Sequence, residues 1–452
     1  MGAMPSFRLP QPLVLLVGCT LLAAALSYVL PAGQYDRQND PATGRMTVVA
    51  GTYHNVPASP VGPFQAIVAI PRGIIDAAAV IAFVFLVGGA FAVVDQTGAL
   101  RDGIDWLVRR LGRRGLLAVP IVCLAFAAGG AFENMQEEII ALIPALLVLN
   151  RRLGFDAVTA ATMSVGSAAI GSAFSPINPF QVLIAQKVAH LPQLSGGAYR
   201  AVFLSIALLL WIAAAMRHAY RTRSAVAETS DATSDTGRLS ARGTAILGIV
   251  LATFAVFVFG VARLGWDFDQ EAALFFAMGV IVGLVGGLGF GGTAEAFIEG
   301  FKSMAYAALL IGFARSISVV MEQGLIIDTV VHGLSAPLAG LPVAVAALGM
   351  MAVQAAIHFP VPSVSGQAVL TLPVLAPLGD LIHLQRQVVV LAYQYGAGLC
   401  EIVTPTNGAM MAILAAAGVR YDQWIRTILW PLLAVATLGA AAIVVAVAIG
   451  LR

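Results

Sequence analysis

The sequence is poor in charge and in long polar stretches. Only 11% of its 452 residues are charged, whereas 59% are hydrophobic. A soluble domain carries about 25% charged residues, so this composition excludes an ordinary soluble protein and indicates a helical protein that crosses a membrane many times. The net charge of +2 says little about partners, and no nucleic-acid partner is expected for a membrane protein of this kind.

The sequence also lacks the signals of a metal centre, a disulfide framework or an active site. Its three cysteines, Cys19, Cys123 and Cys400, lie in apolar stretches and are interpreted as packing residues. It contains no His-Glu-x-x-His motif, no Gly-x-Ser-x-Gly motif and no Cys/His cluster with metal-ligand spacing. We therefore expect neither an enzyme nor a resident cofactor.

A polar segment, Gly129–Glu138 (GGAFENMQEE), interrupts a long apolar tract. Ionisable groups at membrane depth are costly and usually mark the path of a substrate or ion. The apolar flanks reach roughly 18 to 24 Å, short of the roughly 30 Å hydrocarbon core. Arginine pairs end both flanks, and basic loops stay cytoplasmic. A re-entrant hairpin that enters from the inside is therefore predicted at about residues 115–150.

Two further segments are predicted to be helices that break near the middle. Residues 155–190 are interrupted by Ser175-Pro176-Ile177-Asn178-Pro179, and residues 387–417 by Thr404-Pro405-Thr406-Asn407. Each proline removes a backbone donor and clashes with the preceding turn, so a continuous helix is excluded at both places. The backbone groups that a break sets free are tolerated in a membrane where they line a cavity.

A second hairpin is predicted at about residues 341–378. Its tip, His358–Gln367 (HFPVPSVSGQ), has no flanking arginine and is expected to enter from outside. With the remaining apolar segments the prediction is nine spans and two hairpins, with the amino end in the cytoplasm and the carboxyl end outside. One of these spans, at 306–320, is expected to follow a separate amphipathic piece at 297–302.

The two halves of the chain repeat the same order of breaks. An offset of 229 residues lays Ser175 on Thr404 and Asn178 on Asn407, although overall identity is low and coincidence among proline-rich breaks is the alternative. Because the first copy starts inside and the second outside, the pattern predicts an inverted-topology repeat. The predicted organisation is a first repeat at 1–216, a cytoplasmic linker at 217–243 and a second repeat at 244–452.

The hairpin tips and breaks are predicted to meet near the middle of the membrane as two related clusters. Adjacent Glu137 and Glu138 cannot both remain ionised cheaply there, so one is a candidate to bind a proton, a cation or a basic ligand. Capping of the helix ends is the structural alternative. Arg315, Glu322 and Glu401 are also expected at membrane depth, where an Arg315–carboxylate ion pair and a substrate contact are both open. The candidate binding residues are Glu133, Asn134, Glu137, Glu138, Ser175, Pro176, Asn178, Ser363, Ser365, Gln367, Gln394, Thr404, Thr406 and Asn407.

Several stretches resemble the YfcC family of the ion transporter superfamily, which is close to the anaerobic C4-dicarboxylate carriers and the basic amino-acid antiporters. They include VGGAFAVVDQTGAL from Val87, GGAFENMQEE, SPINPF, SGQAVLTLPVLAPLGDLIHLQRQ from Ser365, and VTPTNGAMMAIL, and with others they span most of the chain. The resemblance implies an all-α polytopic membrane protein with an inverted-repeat, elevator-type fold. It also implies a scaffold domain, a mobile transport domain and a homodimer.

The resemblance also implies where a coupling ion would bind. Relatives with Ser-Asn-Thr hairpin motifs bind sodium and carboxylate where SPIN and TPTN fall here, which implies a sodium site near Ser175, Asn178, Thr404 and Asn407. A proton is the alternative coupling ion. This sequence departs from the family pattern by placing prolines inside both motifs.

Together these features predict a secondary active transporter of a small carboxylate-bearing solute in a bacterial inner membrane, driven by an ion gradient or by exchange. An amino acid is favoured, with basic ones included, because Glu137 and Glu138 suit a cation. A C4-dicarboxylate is the nearest alternative, although a carrier for a dianion would more naturally place Arg or Lys at both tips. A non-transporting scaffold or sensor subunit would not need two matched polar tips.

Overall fold

The computed structural model describes residues 11–40, 45–100, 102–103, 106, 112–223 and 240–451. Residues 224–239, most of the predicted linker at 217–243, lie outside the described residues. Within the described ranges the chain is almost entirely helical, and eight helices are long and apolar enough to cross a membrane. This confirms the all-α polytopic fold class.

The first half of the chain contains nine α-helices among its described residues. They are α1 Pro12–Val29, α2 Pro63–Asp76, α3 Ala78–Gln96, α4 Ala118–Glu133, α5 Glu137–Leu153, α6 Ala157–Ala161, α7 Ser167–Ala173, α8 Ile184–Val188 and α9 Gly197–Thr222. A 3-10 turn at Gly112–Leu117 leads into α4. Short π-helical segments at Thr162–Gly166 and Pro179–Leu183 precede α7 and α8.

The second half contains another nine among the residues described there. They are α10 Ala241–Phe259, α11 Phe268–Val285, α12 Gly289–Gln323, α13 Ile327–Ser335, α14 Val343–His358, α15 Val364–Leu381, α16 Arg386–Cys400, α17 Gly408–Ala416 and α18 Tyr421–Ala448. A π-helical segment at Gly260–Leu264 extends α10, and a 3-10 turn at Ala336–Gly340 follows α13.

Between α1 and α2 the polar chain folds into two small antiparallel sheets. Strand β1 (Gly33–Gln34) pairs with β4 (His54–Asn55), and β2 (Arg37–Asp40) pairs with β3 (Arg45–Val48). Strand β3 lies against α15. These strands are too short to leave an alternating pattern in the sequence, so they were not predicted.

The long helix α12 is the central packing element. It contacts α1, α2, α3 and α17, while α3 also packs on α5 and α11. Large apolar side chains on the outer surface remain exposed, with Phe290 at 80%, Leu381 at 79% and Trp430 at 76%. Exposed apolar side chains of this size are expected where a helical protein faces lipid.

The expectation of two separate elements at 297–302 and 306–320 is wrong. One continuous helix of 35 residues, α12, covers both. At about 1.5 Å per residue it reaches roughly 52 Å, well beyond the hydrocarbon core. No proline interrupts it, and Gly300 is required because a Cβ there would lie 2.5 Å from the Cα of Gly89 on α3.

Both predicted breaks and both predicted tips are present. The first break lies between Ala173 and Pro179 and the second between Cys400 and Gly408. The tips lie at 134–136 and 359–363. The length argument for the first hairpin is wrong, because the 3-10 turn extends α4 to a stretch of 19 residues, long enough to span. In the second hairpin, α15 reaches 18 residues. The eight candidate spans, selected by length and composition among the described residues, therefore include one arm of each hairpin, and the count of nine spans stays a prediction.

Candidate functional site

A cavity of about 500 Å³ lies where both hairpin tips, the second helix break and α12 meet. Among the described residues that line it, eight are acidic and one, Arg315, is basic. The acidic residues are Asp76, Glu133, Glu137, Glu138, Asp267, Glu271, Glu322 and Glu401. A concave surface with this surplus of negative charge concentrates cations.

The first hairpin tip is shaped by Asn134. This residue ends α4 in the left-handed conformation, with φ 59°, which asparagine tolerates better than most side chains. Glu137 and Glu138 then occupy the first turn of α5, where the helix dipole stabilises negative charge. Glu138 Oε2 accepts a hydrogen bond from the backbone N–H of Gln136 at 3.0 Å. Glu138 therefore has the predicted capping role, and it also lines the cavity.

Three carboxylates in the cavity each have a buried oxygen with no hydrogen-bond partner among the described residues: Glu133 Oε1, Glu271 Oε2 and Glu401 Oε2. Glu271 and Glu401 are only 5% and 3% exposed. Glu137 lies within electrostatic reach of both. Burying an unpaired carboxylate is costly. A cation or a proton bound at this cluster would remove that cost, which makes the cluster a candidate binding site for positive charge.

The two break asparagines make corresponding contacts. The side-chain oxygens of Asn178 and Asn407 each accept the backbone N–H three residues on, at 2.9 and 3.0 Å, and so cap the second half-helix of each break. Both side-chain amides donate to the first hairpin, from Asn178 Nδ2 to Gly130 O at 2.7 Å and from Asn407 Nδ2 to Gln136 Oε1 at 3.0 Å. Both asparagines thus connect a break to the same hairpin.

The predicted site residues fall into two groups. The cavity is lined by Glu133, Asn134, Glu137, Glu138, Ser363, Ser365, Thr406 and Asn407. The cavity lining does not include Ser175, Pro176, Asn178, Gln367, Gln394 and Thr404. The structure therefore brings the second break to the cavity with both tips and leaves the first break packed behind the first hairpin.

Polar groups around the first break bind one another. Ser175 Oγ donates to Ala131 O at 2.8 Å and accepts the backbone N–H of Asn178 at 2.9 Å. Gln181 Nε2 donates to Asn134 Oδ1 at 3.0 Å, and Ser172 Oγ donates to the same oxygen. The buried Oε1 of Gln181 has no partner within the described part of the chain. Sodium binding here, which such oxygens would suit, stays a prediction.

Gln367 belongs to a buried network inside the second hairpin. Its Oε1 lies 3.0 Å from His358 Nδ1, and its Nε2 donates to Gln354 Oε1 at 2.6 Å. Gln354 Nε2 donates in turn to Thr371 Oγ1 at 2.8 Å. These contacts join α14 to α15, so Gln367 holds the two arms of the hairpin together.

Gln394 supports the first break through a buried arginine. Arg200, which is fully buried, donates from Nε to Gln394 Oε1 and from Nη2 to Gln387 Oε1, each at 2.9 Å. Gln394 Nε2 donates at 2.7 Å to the carbonyl of Ser175. Arg200 was not predicted as important, because an arginine near the start of an apolar helix has the same local pattern as one that reaches to the membrane surface.

Replacing Gln394 with leucine is expected to lower the free energy of unfolding by about 2 to 3 kcal/mol, because a charged donor of Arg200 and the carbonyl of Ser175 both lose their partner. Gln394→Glu keeps the acceptor for Arg200 but loses the donor to Ser175, so a smaller loss is expected. Thermal unfolding in detergent measures the stability of both variants. Gln423→Leu, on the exposed surface of α18, is the control. Equal unfolding temperatures for Gln394→Leu and the control would contradict this role.

The cavity contains acidic residues that the sequence did not single out. Glu271 sits in the first turn of α11, which opens with a capping box formed by Asp267 and Gln270. An acidic first turn normally reports a helix amino end in water. Asp76, the last residue of α2, is followed at once by α3. The one signal for Glu271 in the sequence is that the apolar run begins at the very next residue.

Comparison with known proteins identifies the family. Residues 9–448 match the DcuC family model, described as C4-dicarboxylate anaerobic carrier. YfcC of Escherichia coli, whose provisional name is that of a basic amino acid antiporter, is 33% identical over 470 residues, covering 93% of this chain and 92% of YfcC. An uncharacterized protein of Haemophilus influenzae is 29% identical over 479 residues, covering 94% of each.

Two solved transporter structures show a weak likeness over nearly the whole chain. The YdaH transporter of Alcanivorax borkumensis has a TM-score of 0.45 and 17% identity, covering 98% of this chain and 99% of its own. MtrF of Neisseria gonorrhoeae has a TM-score of 0.42 and 16% identity, covering 98% and 96%. From the family match and the close relative, the chain belongs to the C4-dicarboxylate anaerobic carrier family and is a multi-pass secondary transporter of the DcuC and YfcC type, not an enzyme.

Proposed function

We propose that the solute is an amino acid with a cationic side chain, carried by exchange or by coupling to an ion gradient. The observation that carries this proposal is the acidic cavity, in which Glu271 and Glu401 are buried and each has an oxygen without a partner among the described residues. A basic amino acid supplies the cations that these carboxylates lack. The name of the relative YfcC agrees with this substrate class.

A C4-dicarboxylate, the substrate class in the family's description, fits the cavity less well. A unit charge about 4 Å from a like charge is opposed by about 4 kcal/mol at the effective dielectric constant typical near a protein surface. The described lining contains a single basic residue, Arg315, which can balance at most one of the two charges of a dianion. A dianion would therefore require several of the eight acidic residues to be protonated first.

The same carboxylates suit proton coupling. When the cationic solute leaves, protons can take its place at Glu133, Glu271 and Glu401, so solute and proton would bind in exchange. Sodium near Ser175, Asn178, Thr404 and Asn407 is the second candidate for the coupling ion. The oxygens around the first break support it, since hard cations prefer oxygen ligands.

The proposal includes the remaining expectations about architecture and location. The matched caps of Asn178 and Asn407 at an offset of 229 residues support an inverted repeat over 1–216 and 244–452. An elevator motion and a homodimer are proposed from the family resemblance. The bacterial inner membrane is proposed from the family, and the cytoplasmic amino end from the distribution of basic residues.

Uptake into proteoliposomes tests the proposal. Labelled arginine, lysine, ornithine, a neutral amino acid and succinate are offered in turn, under imposed proton or sodium gradients and with or without unlabelled solute inside. We expect uptake of the basic amino acids, accelerated by internal basic amino acid or by a proton gradient. Uptake of succinate alone would favour the dicarboxylate alternative. No uptake of any of these solutes by demonstrably folded protein would overturn the proposed substrate and place the solute outside these classes.

A further inference from the structure

We propose that Arg315 binds the carboxylate of the transported amino acid and makes the carrier select amino acids over the amines that lack this group. The inference rests on the proposed function and goes beyond it, because the acidic residues of the cavity recognise positive charge only. Lysine and its decarboxylated counterpart, cadaverine, both present cations to those residues. Discrimination between them requires a group that recognises the carboxylate.

Arg315 has donors to spare. Its guanidinium faces two carboxylates, with Nε 3.6 Å from Asp76 Oδ2 and Nη2 3.7 Å from Glu322 Oε1. Charge-assisted hydrogen bonds are about 2.7 to 2.9 Å long, so both pairs are ionic contacts without a hydrogen bond. The guanidinium carries five N–H donors in a planar fork that matches a carboxylate. Its side chain is 44% exposed, so a solute can reach it.

Arg315 also lies near a second cavity. This second cavity, of about 350 Å³, is lined by Asp76 and Glu322 and by Arg72. Because Asp76 and Glu322 line both cavities, Arg315 and its two partners lie where the cavities adjoin. A solute that entered by way of the second cavity would therefore come close to the guanidinium.

A second anion-binding feature lies beside Arg315. Helix α12 packs closely on the start of α17, where a Cβ at Gly408 would lie 2.9 Å from Ile311 Cα and 3.2 Å from Ala314 Cβ. Gly408 and Ala409 line the cavity, and as the first residues of α17 their backbone N–H groups have no partner within the helix. Such groups favour an anion.

The two ends of an amino acid therefore have separate partners. The carboxylate would meet Arg315 and the amino end of α17. The cationic groups would meet Glu271 and Glu401, whose unpartnered, buried oxygens are the independent sign that this cavity binds a ligand. When the cavity is empty, Asp76 and Glu322 balance the charge of Arg315 from a distance that leaves the fork open.

Competition between lysine and cadaverine in proteoliposomes tests the inference. For the unmodified protein we expect lysine to compete with labelled lysine uptake on the order of tenfold more strongly than cadaverine, the ratio that one charged hydrogen-bonded contact provides. In Arg315→Gln the ratio should fall towards one, because the binding of lysine weakens and that of cadaverine does not, and only the amino end of α17 still favours the carboxylate. Arg263→Gln, at an exposed arginine outside the cavity lining, should keep the original ratio.

Arg315→Lys keeps the positive charge but loses the planar fork, so an intermediate ratio is expected, and this variant decides the matter if Arg315→Gln does not fold. Equal weakening of lysine and cadaverine in the folded Arg315 variants would overturn the inference and leave Arg315 as a structural ion pair. Failure of the unmodified protein to bind either compound would instead overturn the proposed function, and the inference with it.

Discussion

Replacing Glu271 with glutamine is expected to raise the concentration of a basic amino acid that gives half-maximal uptake by on the order of tenfold to a hundredfold. The carboxylate is 5% exposed and its Oε2 has no partner among the described residues, so in the loaded carrier its strongest interaction is with the solute. A hydrogen bond to a charged group contributes about 1.5 to 3 kcal/mol, which corresponds to this loss of affinity. Initial rates of labelled lysine uptake over a range of concentrations give the half-saturation value.

A structural role for Glu271 predicts a different outcome. If the carboxylate stabilised the fold, Glu271→Gln would lower the unfolding temperature, whereas neutralising a buried, unpartnered carboxylate should leave it unchanged or raise it. Asp269→Asn is the matched control, since it removes an exposed carboxylate from the same helical turn. A loss of stability in Glu271→Gln, with no change in the lysine concentration that gives half-maximal uptake, would contradict a role in binding.

The direction of the change also separates the two substrate classes. For a cationic solute, removing the negative charge of Glu271 weakens binding. For a C4-dicarboxylate the same substitution removes a repulsion and strengthens binding. Measuring succinate and lysine in one preparation therefore distinguishes the proposed function from its nearest alternative. Tighter succinate binding together with unchanged lysine uptake would contradict the proposal.

The sequence predicted the broken elements of the fold well because their causes are local. Pro176 and Pro405 each remove a backbone donor at a break, and Asn178 and Asn407 are both placed to cap the half-helix that follows. The continuity of α12 was missed for the opposite reason. A charged turn at residues 297–302 suggested a separate surface element, and only packing on α3 shows that this turn belongs to the long helix.

The candidate site was only partly predictable, since its position depends on contacts between distant segments. SPIN and TPTN are equivalent in sequence, yet only the second break faces the cavity, with Thr406 and Asn407 in its lining. Glu271 joins the first hairpin from another helix, which no local pattern could show. The acidic pair at Glu137 and Glu138 was found because charge inside an apolar tract is informative without knowledge of the fold.

The contact between α4 and α7 leads to the second large effect. A Cβ on Gly130 would lie 1.9 Å from the carbonyl oxygen of Ala168, and a Cβ on Gly171 would lie 2.0 Å from that of Ala127. Each obstructing atom is backbone and cannot rotate away. Gly171→Ala is therefore expected to reduce the free energy of unfolding by about 3 to 5 kcal/mol, among the largest losses for a single substitution. Thermal unfolding and size-exclusion behaviour in detergent measure it.

Gly248→Ala in α10 provides a control with the opposite expected sign. No atom lies within 4 Å of a Cβ built on Gly248, and alanine in a helix interior is favoured over glycine by roughly 0.5 to 1 kcal/mol. The two glycines thus differ in surroundings and not in local conformation. Similar unfolding temperatures for the two variants would show that α4 and α7 can separate without loss. The link from Asn178 Nδ2 to Gly130 O would then be dispensable for folding, and the first hairpin could move independently of the first break.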